Sequence, residues 1–353
     1  MPTFPAARLL GLATAVPPHA LGQDAIKAWA KHLFDGRAAA IDRLLPAFDN
    51  AGIDTRYSCM PLEWHGNGHR WEDKNRLYVE NAVELLARAA TDCLADAGLG
   101  RSDVDAVVAV STSGFATPSL DALIIERLGL RPDVARLPVF GLGCAGGVVG
   151  LARAADMARA RPGRRVLFLV AELCGLTFRS GDSSKSNVIA TVLFGDGAAA
   201  ALLTADGGNG RAPEISRPAE HTWPGSLDVM GWRIEDDGFG VLFSQDIPAL
   251  VATRMPGVLD AYLAANGLAL GDYDGFICHP GGAKVVAALE HVFGLADGGL
   301  AHARGVLRDF GNMSAATVMF VLRRFLDDGR PGRYLMSALG PGFTVGFLTL
   351  DIL

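Results

Sequence analysis

Cys144 stands in the run GLGCAGGVVGLARAADMARA, with glycines on both sides and an apolar pattern of helical spacing after it. Glycine permits a tight turn with unusual dihedrals, and the helical period after the turn puts the sulfur at the N-terminus of a buried helix. There the peptide dipoles and free N–H groups favour a thiolate, the form of cysteine that attacks. The plain alternative is a buried structural cysteine, the commoner role for a lone one. His279, in GFICHPGGAKVV, ends a strand-like run before a Pro-Gly-Gly turn. An imidazole there suits pairing with a thiolate and donating to developing charge, although a lone strand-end histidine is usually structural. Asn312, in GNMSAA, brings a neutral amide that cannot be a base but can stabilise an enolate or thioester oxygen.

The elements that must position these residues alternate between helix and strand. Asn75 to Ala97 carries apolar residues at helical spacing and stops at Gly98, a C-cap glycine. Val104–Val110, Leu137–Phe140 and Arg165–Val170 read as strands, with a helix from about Ala145 to Arg161 before the last. That order implies parallel strands joined by helical crossovers. The first strand lies in the N-terminal apolar patch and ends at Pro17-Pro18.

The chain also repeats itself. AGLGRSDVDA at 97–106 and NGLALGDYDG at 266–275 share Gly98/Gly267, Leu99/Leu268, Asp103/Asp272 and Asp105/Asp274, at a constant offset of 169. Each copy is followed by a glycine-containing turn that opens a small-residue helix, GLGCAGG and FGNMSAA. Each helix leads to a strand after a Pro-Gly turn, at Pro162-Gly163 and Pro331-Gly332. A period this long indicates two fused copies of one α/β unit rather than a solenoid. The expected halves are 1–206, carrying Cys144, and 207–353, carrying His279 and Asn312. Gly207 to Gly240, rich in Gly, Pro and Trp, reads as an inter-half connection with irregular or antiparallel structure. By the duplication, the two helix-start turns face each other across a pseudo-dyad, which brings Cys144 and Asn312 to a common centre.

Bulk composition narrows the function. The 353 residues are 50% apolar, enough for a large core, and carry a net charge of −6 with no basic block, which argues against nucleic acid. Mean hydropathy is +0.25, yet no apolar run approaches the ~18–20 residues of a spanning helix. No targeting signal is evident. The five cysteines are odd in number and show no CxxC or Cys/His cluster, so neither a disulfide framework nor a metal site is indicated, and a reducing cytoplasm is expected.

Taken together, GCAGG, LTF with LFGDGAAA, the HPGG turn, GNMSAA and the C-terminal GPGFTVGFLTL resemble the type III polyketide synthases, the chalcone-synthase-like enzymes, over nearly the whole chain. The resemblance implies a thiolase-like fold of duplicated βαβαβ halves in five layers, α/β/α/β/α. It implies a catalytic triad at Cys144, His279 and Asn312, a gatekeeper at Phe194 and a pocket loop at Gly340, Pro341 and Gly342, where Leu339 replaces the family's phenylalanine. Gly238 matches a cavity-lining glycine. The implied reaction loads an acyl starter from acyl-CoA on Cys144. It then decarboxylates malonyl-CoA to an enolate held by His279 and Asn312, condenses for a few rounds and closes a ring. No cofactor is required, and a homodimer is expected.

The chain also departs from the plant members. Of three basic residues near the CoA entrance only Arg43 is kept, Pro46 and Asn50 standing at the others, so Arg56 and Lys284 are further candidates for the CoA phosphates. Thr117 stands where plant enzymes insert a methionine across the dimer interface. Small side chains at Ser113, Thr117 and Cys174 resemble bacterial members that take long fatty acyl starters and release alkylpyrones or alkylresorcinols. The starter donor is an acyl-CoA or an acyl carrier protein. Two other readings compete: a 3-ketoacyl-carrier-protein synthase of the third type, with one condensation, and a non-catalytic acyl-binding protein, against which the intact triad argues. Thiolase proper lacks its second cysteine here.

Overall fold

A computed structural model describes residues 5–34, 44–206 and 212–353. The first half contributes five strands, β1 (Ala7–Ala15), β2 (Ala106–Val110), β3 (Ala135–Val139), β4 (Arg165–Leu173) and β5 (Asp196–Thr204). The second contributes four, β6 (Glu214–Thr222), β7 (Gly275–Cys278), β8 (Gly332–Gly340) and β9 (Thr344–Ile352). They form one nine-stranded sheet in the order β7-β8-β9-β6-β1-β5-β4-β2-β3. Its two halves meet where Ala7 and Arg8 of β1 pair with Ile215 and Glu214 of β6, next to a bond from Leu9 N to Pro213 O at 2.9 Å. Outward from that seam the first half runs β1, β5, β4, β2 and the second half β6, β9, β8, β7, the same pattern in both, with β3 added at the outer edge of the first.

The sequence repeat has a structural counterpart. Asp105 and Asp274 each precede the parallel strand of their half. Each carboxylate accepts from the backbone amide opening the neighbouring strand, Arg165 N at 2.9 Å and Arg333 N at 2.8 Å. Gly98 and Gly267 both take left-handed φ, +65° and +64°, the conformation glycine adopts without Cβ strain. Asp103 and Asp272 bond back to the amides of Gly100 and Ala269, closing the same turn twice.

Alternation along the strands builds the layers. Val107, Ala109, Leu167, Leu169, Ala198 and Ala200 face helix α1 (Trp71–Asp96), whose Leu85, Leu86, Ala89 and Cys93 pack there. The intervening Val108, Val110, Phe168 and Val170 face helix α2 (Gly146–Ala160). This helix and α3 (Thr317–Asp328) lie between the two half-sheets and are covered from both sides, so α2 buries all of its first seven residues. Helices Ile247–Ala265 and Ala283–Val292 cover the outer face of the second half, completing five layers. Among the described residues no helix is long and apolar enough to cross a membrane.

The expected connection from Gly207 to Gly240 is corrected in part. Glu214–Thr222 is not a linker but β6, the first strand of the second half. Its sequence EISRPAEHT hides this, because only Ile215 is buried while β1 and β9 flank it. Beyond it, Met230–Glu235 and Gly238–Phe243 form the antiparallel hairpin the composition suggests.

Candidate active site

Cys144 lies in a tight turn, Gly143–Ala145, that runs directly into α2. Gly143 has φ +46°, and a Cβ there would lie 2.5 Å from Pro341 Cδ; a Cβ on Gly147 would lie 2.3 Å from Ala315 O. The glycines around the cysteine therefore reflect close approach. The turn is wedged between the Gly340–Gly342 loop and the counterpart turn of the second half, Ser314–Ala316, which opens α3. Gly340 is equally tight, since a Cβ on it would meet Leu142 O at 2.4 Å. The expected facing of the two turns is what the structure shows.

Part of Cys144 opens to a hollow, but its sulfur is surrounded by protein. Burial pushes the thiol up to about 12; the hydroxyl of Ser314, 3.6 Å away, pulls it back, and the Glu172 carboxylate raises it further. Burial thus opposes the resting thiolate that a helix N-terminus favours. His279 follows β7, its amide donating to Ser337 O at 2.9 Å. Neither ring nitrogen has a hydrogen-bond partner among the described residues, and burial brings the imidazole down to about 3. Burial therefore opposes the charged form of each, and His279 stands outside the lining of the hollow that Cys144 faces.

Asn312 is held on every side. Its Oδ1 accepts from Ser314 N at 2.8 Å and its Nδ2 donates to Gly281 O at 3.1 Å. The backbone amide bond fixes which end of the side chain is oxygen, leaving the second Nδ2 proton as the free donor. Its main chain bridges to the Phe194 segment: Asn312 N donates to Leu193 O at 2.8 Å, and Gly195 N donates to Asn312 O at 3.0 Å. Phe194 itself caps helix α4 (Lys185–Leu193) and lies edge-on to Trp232, 6.0 Å between centroids.

Three hollows adjoin. The central one, ≈ 430 Å³ of empty space, is lined by Cys144, Asn312, Ser314, Phe194, Cys174, Pro341 and the hairpin residues Met230, Trp232 and Phe243. An outer groove of ≈ 1260 Å³ shares Phe243 with it and carries Lys185, Lys284 and the Gly281-Gly282-Ala283 turn. A rear, mostly apolar hollow of ≈ 520 Å³ shares Cys174 and Phe194 and continues past Ala190, Phe178, Trp29, Ile26 and Leu21.

Several expected site residues fall elsewhere. Ser113 lies with Gly238 in a separate hollow beside Trp71, Lys74 and Tyr78, its hydroxyl accepting from Leu173 N at 2.8 Å. Thr117, expected at a dimer interface, is exposed on this chain and lines none of its described hollows. Arg56 is 4% exposed, its guanidinium turned inward onto the carbonyls at the end of α4, so it cannot meet a phosphate at the entrance. Arg43 lies outside the described residues. Lys284 does line the groove, and Lys185 joins it unforeseen, 2.6 Å from Gln245 Oε1.

Two more residues carry little signal in the sequence. Ser314, two places beyond Asn312, holds φ +47°, a costly conformation for a non-glycine residue, and presents its hydroxyl to the Cys144 thiol. Glu172 is wholly buried beneath them. Its Oε2 accepts from Thr112 N at 3.1 Å and its Oε1 has no partner among the described residues. Burial raises its carboxyl to about 7 against the pull of nearby Ser113, Thr112 and Ser314. Glu172 precedes the LTF segment in the chain, and a lone strand glutamate points to no chemistry by itself.

Known proteins match along the whole chain. Residues 5–207 match the N-terminal domain of chalcone and stilbene synthases, and residues 214–351 match the C-terminal domain. A putative chalcone synthase of Bacillus subtilis is 39% identical over 350 residues, covering 95% of this chain and 96% of that protein. The 1,3,6,8-tetrahydroxynaphthalene synthase of Streptomyces peucetius subsp. caesius is 37% identical over 344 residues, covering 96% and 91%. The crystal structure of the tetrahydroxynaphthalene synthase of Streptomyces coelicolor A3(2), a bacterial type III polyketide synthase, superposes with a TM-score of 0.92 at 27% identity, covering 98% of this chain and 99% of that one. A thiol, a fixed amide and a phenylalanine facing one hollow, in a duplicated fold matched by both family domains, place the chain in the chalcone and stilbene synthase family, the type III polyketide synthases, which are acyltransferases.

Proposed function

We propose that Cys144 takes an acyl starter from acyl-CoA, that His279 and Asn312 hold the thioester oxygen of malonyl-CoA while it loses carbon dioxide, and that the resulting enolate attacks the Cys144 thioester. The observation that carries this reading is the shared hollow, where Cys144, Phe194 and the one free Nδ2 proton of Asn312 converge. The thiolate forms by proton transfer from Cys144 to His279 as the starter thioester arrives, and His279 passes that proton to the CoA sulfur as the acyl group moves to Cys144 and CoA leaves as the free thiol. His279 then returns as a donor to the developing oxyanion. Phe194 keeps water from the enolate. The halves 1–206 and 207–353 act as the two units whose turns supply thiol and amide.

The CoA moiety lies in the outer groove, with Lys185 and Lys284 toward its phosphates; both residues open helices whose N-termini carry positive dipole ends. The rear hollow beyond Cys174 supports a long fatty acyl starter and a pyrone or resorcinol product. A second reading is favoured by the 37% identity to a synthase whose product is a tetrahydroxynaphthalene. There the rear hollow receives a growing chain that starts short and ends in fused aromatic rings. The exposed Phe115–Phe140 stack beside edge strand β3 supports a homodimer. The unpaired cysteines support a reducing cytoplasm.

Incubation with acyl-CoAs of graded length and labelled malonyl-CoA, read by mass spectrometry, tests the proposal. Long-chain acyl pyrones or resorcinols support the first reading, and products built from malonyl units alone support the second. No labelled condensation product from any starter, or only single-condensation products from acyl carrier protein, would refute both.

A further inference from the structure

The structure assigns Arg56 the role of an internal brace that holds the gatekeeper Phe194 and the amide Asn312 in one fixed relation. Arg56 lies in the short strand Thr55–Ser58 and is 4% exposed. Its Nη1 donates to Thr191 O at 2.7 Å and to Phe194 O at 3.0 Å; its Nη2 donates to Val192 O at 2.6 Å and to Gln23 Oε1. Three carbonyls at the end of α4, the one on Phe194 included, thus converge on a single rigid fork. The C-terminus of a helix is where orphan carbonyls gather and where positive charge is favoured.

The same residue supports the other strand of the bridge. A Cβ on Gly195 would lie 3.2 Å from Arg56 Cβ, and one on Gly311 would lie 3.4 Å from it. Gly195 and Gly311 flank Phe194 and Asn312 in the two segments that exchange backbone hydrogen bonds. Arg56 therefore touches both sides of the joint between the two halves of the chain. Gln23 extends the brace, since its Nε2 also donates to Val192 O at 3.2 Å. Asp196 supplies a buried counter-charge, its carboxylate accepting from Cys59 N and Gly175 N at 2.9 and 2.7 Å.

Arg56 contacts no reacting group, so it is a positioning residue. A lysine keeps the charge but cannot reach three carbonyls with a planar fork. The relation between amide and phenylalanine matters most in decarboxylation, whereas acylation needs Cys144, and Cys144 lies on the opposite turn. This rests on the reading that Asn312 serves malonyl decarboxylation.

The test compares wild type with Arg56→Lys, Gln23→Met and Asn312→Ala. Each is assayed for malonyl-CoA decarboxylation without starter and for the burst of Cys144 acylation by a labelled acyl-CoA. For Arg56→Lys, kcat of decarboxylation should fall roughly tenfold or more at nearly unchanged KM, because a small misplacement costs rate rather than binding. The acylation burst should keep its amplitude and stay within about threefold of its rate. Gln23→Met, which leaves Arg56 in place, should lower decarboxylation roughly threefold with the acylation rate unchanged, and it decides the matter if Arg56→Lys does not fold. Parallel losses of decarboxylation and acylation, or unchanged decarboxylation in both variants, would overturn the brace. If Asn312→Ala itself decarboxylates normally, the underlying reading falls and the brace with it. If Asn312→Ala fails while Arg56→Lys and Gln23→Met decarboxylate as wild type does, only the brace is refuted.

Discussion

Cys174 is the narrowest point on which the starter assignment can be tested. It is 2% exposed, opens the turn Cys174–Thr177, and borders both the hollow of Cys144 and the rear hollow. Cys174→Phe fills the passage between them. A chain denied that passage leaves its distal methylenes in water, at about 0.8 kcal/mol each. If only two stay wet the loss is about 1.6 kcal/mol, or about fifteenfold in kcat/KM, and longer chains lose more. An acetyl or butyryl starter ends before the passage and should change less than about threefold. The assay is kcat/KM for acyl-CoAs of increasing length, with melting temperature as a control, since overpacking costs about 1–3 kcal/mol of stability. Cys174→Ser, small and polar, should leave the length profile close to wild type. Equal losses at every length would mean a general defect, and an unchanged profile in the phenylalanine variant would refute the rear hollow as the chain's route.

Four further outcomes are expected. Cys144→Ala should fold with an unchanged melting temperature and form neither acyl-enzyme nor product by mass spectrometry; product from this variant would remove the nucleophile assignment. Asn312→Ala should acylate normally yet lose about a hundredfold in malonyl decarboxylation, while His279→Ala should slow both steps, as measured in separate burst and decarboxylation assays. Lys185→Ala combined with Lys284→Ala should raise KM for acyl-CoA several-fold, about 0.5–1 kcal/mol per exposed charge, with kcat unchanged and the effect shrinking as salt is added. The Glu172 carboxyl, raised from 4.5 to about 7, keeps a proton in the native state that the unfolded chain has already released. Wild-type stability therefore falls as pH rises through that window, so the stability gap in favour of Glu172→Gln should widen from pH 4.5 to 7, by on the order of 3 kcal/mol at most, and stay level above it. A gap that does not change with pH would refute the assignment.

By itself the sequence determined the duplication and most of its structural consequences. Gly98 and Gly267 are legible because only glycine takes left-handed φ freely, and Asp105 and Asp274 because the same carboxylate caps the amide of the neighbouring strand in each copy. Cys144 and Asn312 could be placed face to face from the repeat alone, since symmetry relates their turns whatever the distance along the chain. Strand β6 was hidden because its side chains face mostly outward and its place is set by pairing with β1 and β9, which leaves no local period. The fate of Arg56 was equally illegible. An arginine in a short strand reads as a surface cation, and only the tertiary fold brings the end of α4 over it and buries it on three carbonyls. The charge state of the site was decided the same way. The sequence shows a helix N-terminus that favours a thiolate, but burial, which depends on every neighbour at once, acts against the charged forms of both Cys144 and His279.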